Sequence, residues 1–183
     1  GISLPGATFN IYKDGELIDT ATTNDAGEFR FPIVAGEGYF EFEETVAPTG
    51  YQLDSTRHGI YIDPYDPQTE DDPVLTIKNY NNPSLRIIKY DLQSGERLPG
   101  VTFKIYKDGE LFDTLTTDGQ GEILLYNLEP GTYLAEEYST DDSHVINSTP
   151  QQIELKAGQQ ETQTLVFVNQ KKPGIYLIKL DSQ

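Results

Sequence analysis

Apolar and polar residues alternate along most of this chain with a period of two, the spacing that puts successive side chains on opposite faces of a β-strand. The alternation is clear at residues 8–12, 16–23, 28–31, 39–46, 59–62 and 74–79. The second half repeats it and places one further strand, residues 85–91, ahead of the rest. Lys13-Asp14-Gly15-Glu16 and Lys107-Asp108-Gly109-Glu110 separate runs of this kind, and Asp-Gly supplies the positive-φ positions that a tight hairpin turn needs. No segment combines helical periodicity with capping residues. Roughly seven short strands in each ~90 residues, with turn signals between them, predict an all-β fold of immunoglobulin-like sandwiches.

The pattern is written twice. Leu4 to Glu28 reads LPGATFNIYKDGELIDTATTNDAGE and Leu98 to Glu122 reads LPGVTFKIYKDGELFDTLTTDGQGE, with eighteen of 25 positions identical at an offset of 94. Further on, Phe40-Glu41-Phe42-Glu43-Glu44 lies over Tyr133-Leu134-Ala135-Glu136-Glu137, and Leu75-Thr76-Ile77-Lys78-Asn79 over Leu165-Val166-Phe167-Val168-Asn169. The linkers Tyr80-Asn81-Asn82-Pro83 and Gln170-Lys171-Lys172-Pro173 correspond as well. A repeat of this length is one small domain. The expected divisions are a sandwich at 1–82 that lacks its first strand, a complete sandwich at 83–172, and a remnant at 173–183. In that remnant, Ile175-Tyr176-Leu177-Ile178-Lys179-Leu180-Asp181 matches Leu85-Arg86-Ile87-Ile88-Lys89-Tyr90-Asp91. It is expected to be the first strand of a following repeat, or a strand donated to another domain. The whole reads as about one period of a longer two-domain array.

Residues two apart share a strand face, and three faces carry one polar residue each where the interior should be apolar. Leu85 and Ile87 are followed by Lys89, Tyr133 and Ala135 by Glu137, and Leu165 and Phe167 by Asn169. Polar groups aimed into a core are costly unless they meet one another or reach the rim. Burial disfavours charge, so a buried Lys amine tends to lose its proton and become a nucleophile, while a buried Glu tends to gain one. The protonated Glu is then expected to bond the Asn carboxamide oxygen and to serve as general acid and base. The expected product is an amide between Lys89 Nζ and Asn169 Cγ, with ammonia released. Folding would supply the effective concentration, and the protein would be its own single-turnover substrate, not an enzyme. The plainer alternatives are a rim lysine with a wet amine at Lys89, a strand cap at Asn169 and a solvated acid at Glu44. The neighbouring Glu41 and Glu43 have the outward phase of solvated acids.

Composition narrows the setting. The formal net charge is −17, which disfavours binding to nucleic acid or to an anionic membrane surface and suits a soluble, unaggregated extracellular rod. Cysteine is absent, so disulfides, thiolate metal sites and thiol catalysis are excluded together. No apolar run approaches the ~20 residues of a membrane helix, and no signal segment opens the chain. The acidic run at residues 63–72 lacks the Asp-x-Asp-x-Asp-Gly spacing of a dedicated calcium loop, and His58 and His144 have no partner at metal-ligand spacing. Neither a metal nor a cofactor is expected.

The motifs LPG-x-TF-x-IY, TTDGQGE, NLEPGTYLAEE and the closing LVFVN resemble the B-type domains of collagen adhesins and SpaA-type pilins. FEFEETVAPTGY is similar to the Glu-containing box of that family. The resemblance covers nearly the whole chain. It implies a transthyretin-like (prealbumin-like) sandwich from a Gram-positive surface protein, carrying a self-formed Lys–Asn isopeptide bond. By position it makes Lys89 the nucleophile, Asn169 the acceptor and Glu137 the catalyst, with Glu136 the alternative catalyst. Glu44 and Asn79 become catalyst and acceptor of the first domain, and Lys179 the nucleophile of a next repeat. After Glu137 the sequence departs from the family box, Tyr138-Ser139-Thr140 standing where Thr-x-Ala-Pro is usual.

The chain carries no LPxTG-like sorting signal and no Tyr-Pro-Lys segment, so its expected role is stalk, not anchor or polymerising subunit. Its expected place is extracellular and cell wall-attached, with neighbouring repeats as partners and contact with host matrix left to another region. The alternative is an adhesin module that itself recognises a host matrix protein or glycan. A glycosidase would need two carboxylates facing one cleft, and no such pair stands out.

Overall fold

A computed structural model of the 183-residue chain describes residues 1–32, 38–63 and 73–181. The chain divides into two compact units, Gly1–Asn82 and Pro83–Gln183. Among the described residues every regular element is a strand, so no helix is long and apolar enough to cross a membrane.

Unit 1 holds β1 (Thr8–Lys13), β2 (Glu16–Thr22), β3 (Gly38–Val46) and β4 (Arg57–Ile62) in one antiparallel sheet of order β2-β1-β3-β4. Unit 2 comprises β5 (Leu85–Asp91), β6 (Thr102–Lys107), β7 (Glu110–Thr116), β8 (Glu122–Leu125), β9 (Gly131–Ser139), β10 (His144–Val145), β11 (Gln151–Leu155) and β12 (Gln163–Lys171). These form two sheets, β11-β9-β6-β7 and β10-β12-β5-β8. The first is the counterpart of the unit 1 sheet. The second is built around β5, which pairs parallel with β12 and antiparallel with β8.

Both Asp-Gly hairpins adopt the conformation that their sequence demands. Asp14 and Gly15 have φ of 51° and 87°, and Asp108 and Gly109 have 51° and 90°. Alternation along the strands points Leu85, Ile87, Phe103, Ile105, Tyr133, Ala135, Leu165 and Phe167 into one core, where the Phe103 and Phe167 rings lie 4.9 Å apart. Thr117 is buried as a clamp: its hydroxyl accepts from Val101 N at 2.9 Å and donates to Leu98 O at 2.8 Å.

Two segments of unit 1 with strand alternation, 28–31 and 74–79, are not strands. Their counterparts in unit 2 are β8 and β12, the two neighbours of β5. A strand needs a partner for its backbone groups, and among the described residues unit 1 has none at the position of β5. The 28–31 segment still packs by its rings, Phe29 at 5.8 Å from Phe9 and Phe31 at 6.3 Å from Phe40. Among the described residues the buried apolar side chains of unit 1 are few: Ala7, Phe9, Ile11 and Phe40. Residues 173–181 likewise pair with no strand and lie exposed. The acidic run at 63–72 falls, apart from Asp63, outside the described residues.

A polar pin closes one end of unit 2. His144 is buried, with Nε2 3.0 Å from Asp91 Oδ2 and Nδ1 2.8 Å from Asp141 Oδ2, while Lys171 Nζ stands 3.3 Å from Asp91 Oδ2. Asp91 Oδ1 also accepts from Gln93 N and Ser94 N. The Ser94 amide first, and His144 after it, hold the Asp91 carboxyl far below the usual range. The Ser143 hydroxyl, then His144, brings Asp141 down to about 2. Asp91, then Asp141, raises His144.

These shifts fix a sign. The raised histidine contributes in full below its unfolded pKa near ~6.5 and loses that contribution as pH rises through its higher folded value. The depressed aspartates contribute above ~4 and lose their contribution on acidification. Denaturant midpoints should therefore fall as pH is raised from about 5 to about 9, and His144→Gln should flatten that dependence. A second expectation concerns Gly121, whose φ is +66° and whose added Cβ would stand 2.8 Å from Arg97 Cβ and 2.9 Å from Leu98 N. Gly121→Ala should cost more than about 1 kcal/mol in the same measurement, whereas Gly119→Ala, with open space around it, should cost less.

Candidate functional site

Lys89, Glu137 and Asn169 arrive from β5, β9 and β12, and the two-residue period of each strand carries them to the inside. Lys89 is opposite Phe167 in the parallel ladder, so Asn169 stands two residues further along the same face. Glu137 reaches them across the sandwich from the other sheet. A β-bulge follows it: Phe103 pairs with Glu137 but Thr102 with Ser139. Unit 1 repeats the irregularity, Phe9 pairing with Glu44 and Thr8 with Val46. Bulges bend a strand locally and re-aim its side chains, and here one sits beside each interior acid.

The three side chains touch. Lys89 Nζ donates to Asn169 Oδ1 at 2.6 Å and lies 3.2 Å from Glu137 Oε2. Asn169 Nδ2 donates to Glu137 Oε1 at 2.5 Å and to Thr140 Oγ1 at 3.1 Å. Asn147 N donates to Glu137 Oε2 at 3.3 Å. Lys89 and the Glu137 side chain have no exposure at all, and Asn169 only 1%. Burial pushes the Lys89 amine below the ordinary lysine range, against the pull of the Glu137 charge and hydrogen bond. Glu136 is half-buried and faces the other way, so Glu137 is the acid of this cluster.

One contact differs from the sequence expectation. Glu137 meets the carboxamide nitrogen, not its oxygen. The Lys89 amine donates to Oδ1, which leaves Nδ2 to donate to the Glu137 carboxyl. A single carboxyl group thereby spans the amine on one oxygen and the amide nitrogen on the other.

In unit 1, Asn79 Nδ2 donates to Glu44 Oε2 at 2.6 Å and to Gln52 O at 2.9 Å. Asp54 N donates to the same Glu44 oxygen at 2.8 Å. Glu44 is 1% exposed, and its Oε1 is buried without a hydrogen-bond partner among the described residues. Lys179, the third lysine of the pattern, is exposed and belongs to neither cluster.

Sequence reasoning did not find Thr140, nor the backbone donors Asn147 and Asp54. The donors had a signal: each lies ten residues after its glutamate, the same offset in both copies. Among the described residues no three His, Asp or Glu side chains group as they would to hold a metal ion. His58 instead pairs with Asp54, its Nε2 2.7 Å from Oδ2.

This arrangement can be set beside known proteins. A search of curated proteins returns no match. Among solved structures, the Bacillus anthracis TIE protein is 28% identical over 92% of this chain, with a TM-score of 0.48, and this chain spans 31% of its length. The shaft pilin SpaA from Lactobacillus rhamnosus GG is 17% identical with a TM-score of 0.54, over 94% of this chain and 90% of that one. GBS52, the minor pilin of Streptococcus agalactiae, is 18% identical over 98% of this chain and 89% of its own, with a TM-score of 0.44. The shaft pilin shares the fold. The model of the SpaA prealbumin-like fold domain matches residues 1–80 and again 83–171, which is nearly the entire chain. This protein therefore belongs to the SpaA family of prealbumin-like fold domains, two of them in tandem.

Proposed function

We propose that the chain is a structural stalk segment of a Gram-positive cell-surface adhesin or pilus-like protein, hardened by an amide that it makes for itself between Lys89 and Asn169. The observation that supports this most is the enclosure of Lys89, Glu137 and Asn169 within hydrogen-bond reach of one another, with no water-facing surface on the amine.

The chemistry needs no group from outside. A lysine ammonium must shed two protons to become an amide nitrogen. Glu137 Oε2 takes the first from Nζ, whose lone pair then adds to Asn169 Cγ. The second is relayed by the same carboxyl to Nδ2, which Oε1 already contacts. The Cγ–Nδ2 bond breaks, ammonia leaves, and the Nζ–Cγ amide remains. Glu137 retains one proton, so the buried charge pair is replaced by neutral groups, which a low-dielectric interior favours. Folding holds the reactants in place, and intramolecular positioning of this kind replaces a very large concentration of free reactant. Each chain reacts once.

The mechanical reading follows from where the bond would lie. It would join the first and last strands of unit 2, which run parallel side by side. It would also close a loop across a sequence separation of 80, worth on the order of 4 kcal/mol by analogy with a disulfide. In a chain without cysteine, such a bond supplies the hardening that disulfides give other exported proteins. The net charge of −17 suits a surface protein that must not aggregate with its neighbours.

Intact mass of the denatured wild type should be one ammonia below the sequence mass for this bond. Glu137→Ala and Lys89→Ala should each show their full sequence mass at this site, and digestion of the wild type should yield a branched peptide joining Lys89 to Asn169. A wild type without that peptide overturns the reading. Loss of the bond should also lower the thermal midpoint of unit 2 by roughly 20 °C, taking ~4 kcal/mol at about 5 °C per kcal/mol. The conservative Glu137→Gln variant should share that loss, as it cannot move the protons.

A further inference from the structure

The Asn169 carboxamide nitrogen carries two hydrogens, and both are answered. Glu137 Oε1 accepts one, and the Thr140 hydroxyl accepts the other at 3.1 Å. Glu137 has the protons to move, but Nδ2 is the atom that must leave, and Thr140 touches it directly. The contacts of this amide with Lys89 and Glu137 are fully buried, whereas its contact with Thr140 is only partly so. The departing nitrogen therefore has its one half-buried side-chain neighbour of the three on the Thr140 side.

Unit 1 meets the same demand with a different atom. There Asn79 Nδ2 donates to Glu44 and, at 2.9 Å, to the carbonyl of Gln52. Counted from the interior glutamate, Gln52 falls on Val145, which in unit 2 belongs to the β10–β12 pairing. Thr140, counted in the same way, falls on Ala47, a half-buried residue whose side chain has no polar atom. A backbone oxygen in one unit is thus exchanged for a side-chain oxygen in the other. The exchange occurs where the sequence of unit 2 departs from the family box, just past the end of β9.

We infer that the Thr140 hydroxyl is a catalytic group of unit 2, holding the leaving nitrogen of Asn169 while the amide bond to Lys89 forms. The inference rests on the amide-forming reading of unit 2 and adds a residue to it. As Nζ bonds to Cγ, the Cγ–Nδ2 bond breaks and its electron pair stays on Nδ2. That nitrogen takes one proton from Glu137 and leaves as ammonia; Thr140 gains and loses nothing. On the way, Nδ2 changes from a flat amide nitrogen to one bearing positive charge, and a hydrogen bond from a charged donor is roughly twice as strong as one from a neutral donor. The Thr140 contact therefore tightens in the transition state, which is the condition for a contact to raise the rate.

The test follows the full 183-residue chain from its synthesis, since each chain reacts once. Cell-free translation with a short labelling pulse, quenched in denaturant at intervals and digested, gives the rate at which the Lys89–Asn169 branched peptide appears. Thr140→Val keeps the shape and Thr140→Ala supplies the residue of unit 1; both should slow the reaction roughly tenfold. Thr140→Ser keeps the hydroxyl and should stay close to the wild type. In Glu137→Gln chains, which cannot react, adding Thr140→Val or Thr140→Ala should leave the near-ultraviolet circular dichroism unchanged. If the Val and Ala variants react at the wild-type rate, or Ser is as slow as they are, the inference is overturned while the amide reading stands. If their slowing comes with loss of that dichroism, the defect is one of folding and the inference is again overturned. If the wild type yields no branched peptide at all, the amide reading falls and this one with it.

Discussion

A lysine amine with no contact with water is the constraint around which unit 2 is arranged. Held as an ammonium it must be matched by a carboxylate and by an acceptor, and held as an amine it is a nucleophile pressed against a carboxamide. Lys89 lies on β5, which is flanked on both sides and faced by the opposite sheet, so its side chain has no route to solvent. Glu137 and Asn169 come from strands far away in sequence but adjacent to this one point. The Asp108-Gly109 hairpin, the Thr117 clamp, the close approach of Gly121 to Leu98 and the His144 pin all fix strands of the same unit. Each of them holds backbone that carries or adjoins Lys89, Glu137 and Asn169.

The two units form an internal comparison. They share the β-hairpin sequence, the interior glutamate, the bulge beside it and the backbone donor ten residues on. They differ in the strand between the β8-like and β12-like segments. With β5, those segments are ladders and the core is continuous; without it, the same alternating sequences are unpaired and unit 1 buries few apolar side chains. The glutamate and asparagine of unit 1 nevertheless hold each other. This pair is therefore built by the loop-and-bulge geometry of β3, with Asp54 N as its further donor.

Much of this was legible in the alternation and in the internal repeat. The period-two pattern placed Lys89, Glu137 and Asn169 on inward faces because a strand has only two faces, and the repeat separated Glu44 from Glu41 and Glu43 by phase. Two things were not legible. Alternation describes what a strand would bury, not whether a partner exists, so 28–31 and 74–79 read as strands without having one. The carboxamide orientation was also hidden, since it depends on which neighbour donates and which accepts. Thr140 lay beyond reach for a related reason: it follows the end of β9, where periodicity no longer says which way a side chain points.

The parallel register of β5 and β12 has a consequence for length. A polypeptide pulled straight yields at most about 3.5 Å per residue, so the segment between Lys89 and Asn169, a separation of 80, stores on the order of 280 Å of slack. A unit closed at those two residues withholds nearly all of it, and a unit left open surrenders it whenever its ladder shears. If the proposed bond forms, the reach of unit 2 under tension is set by one pair of side chains.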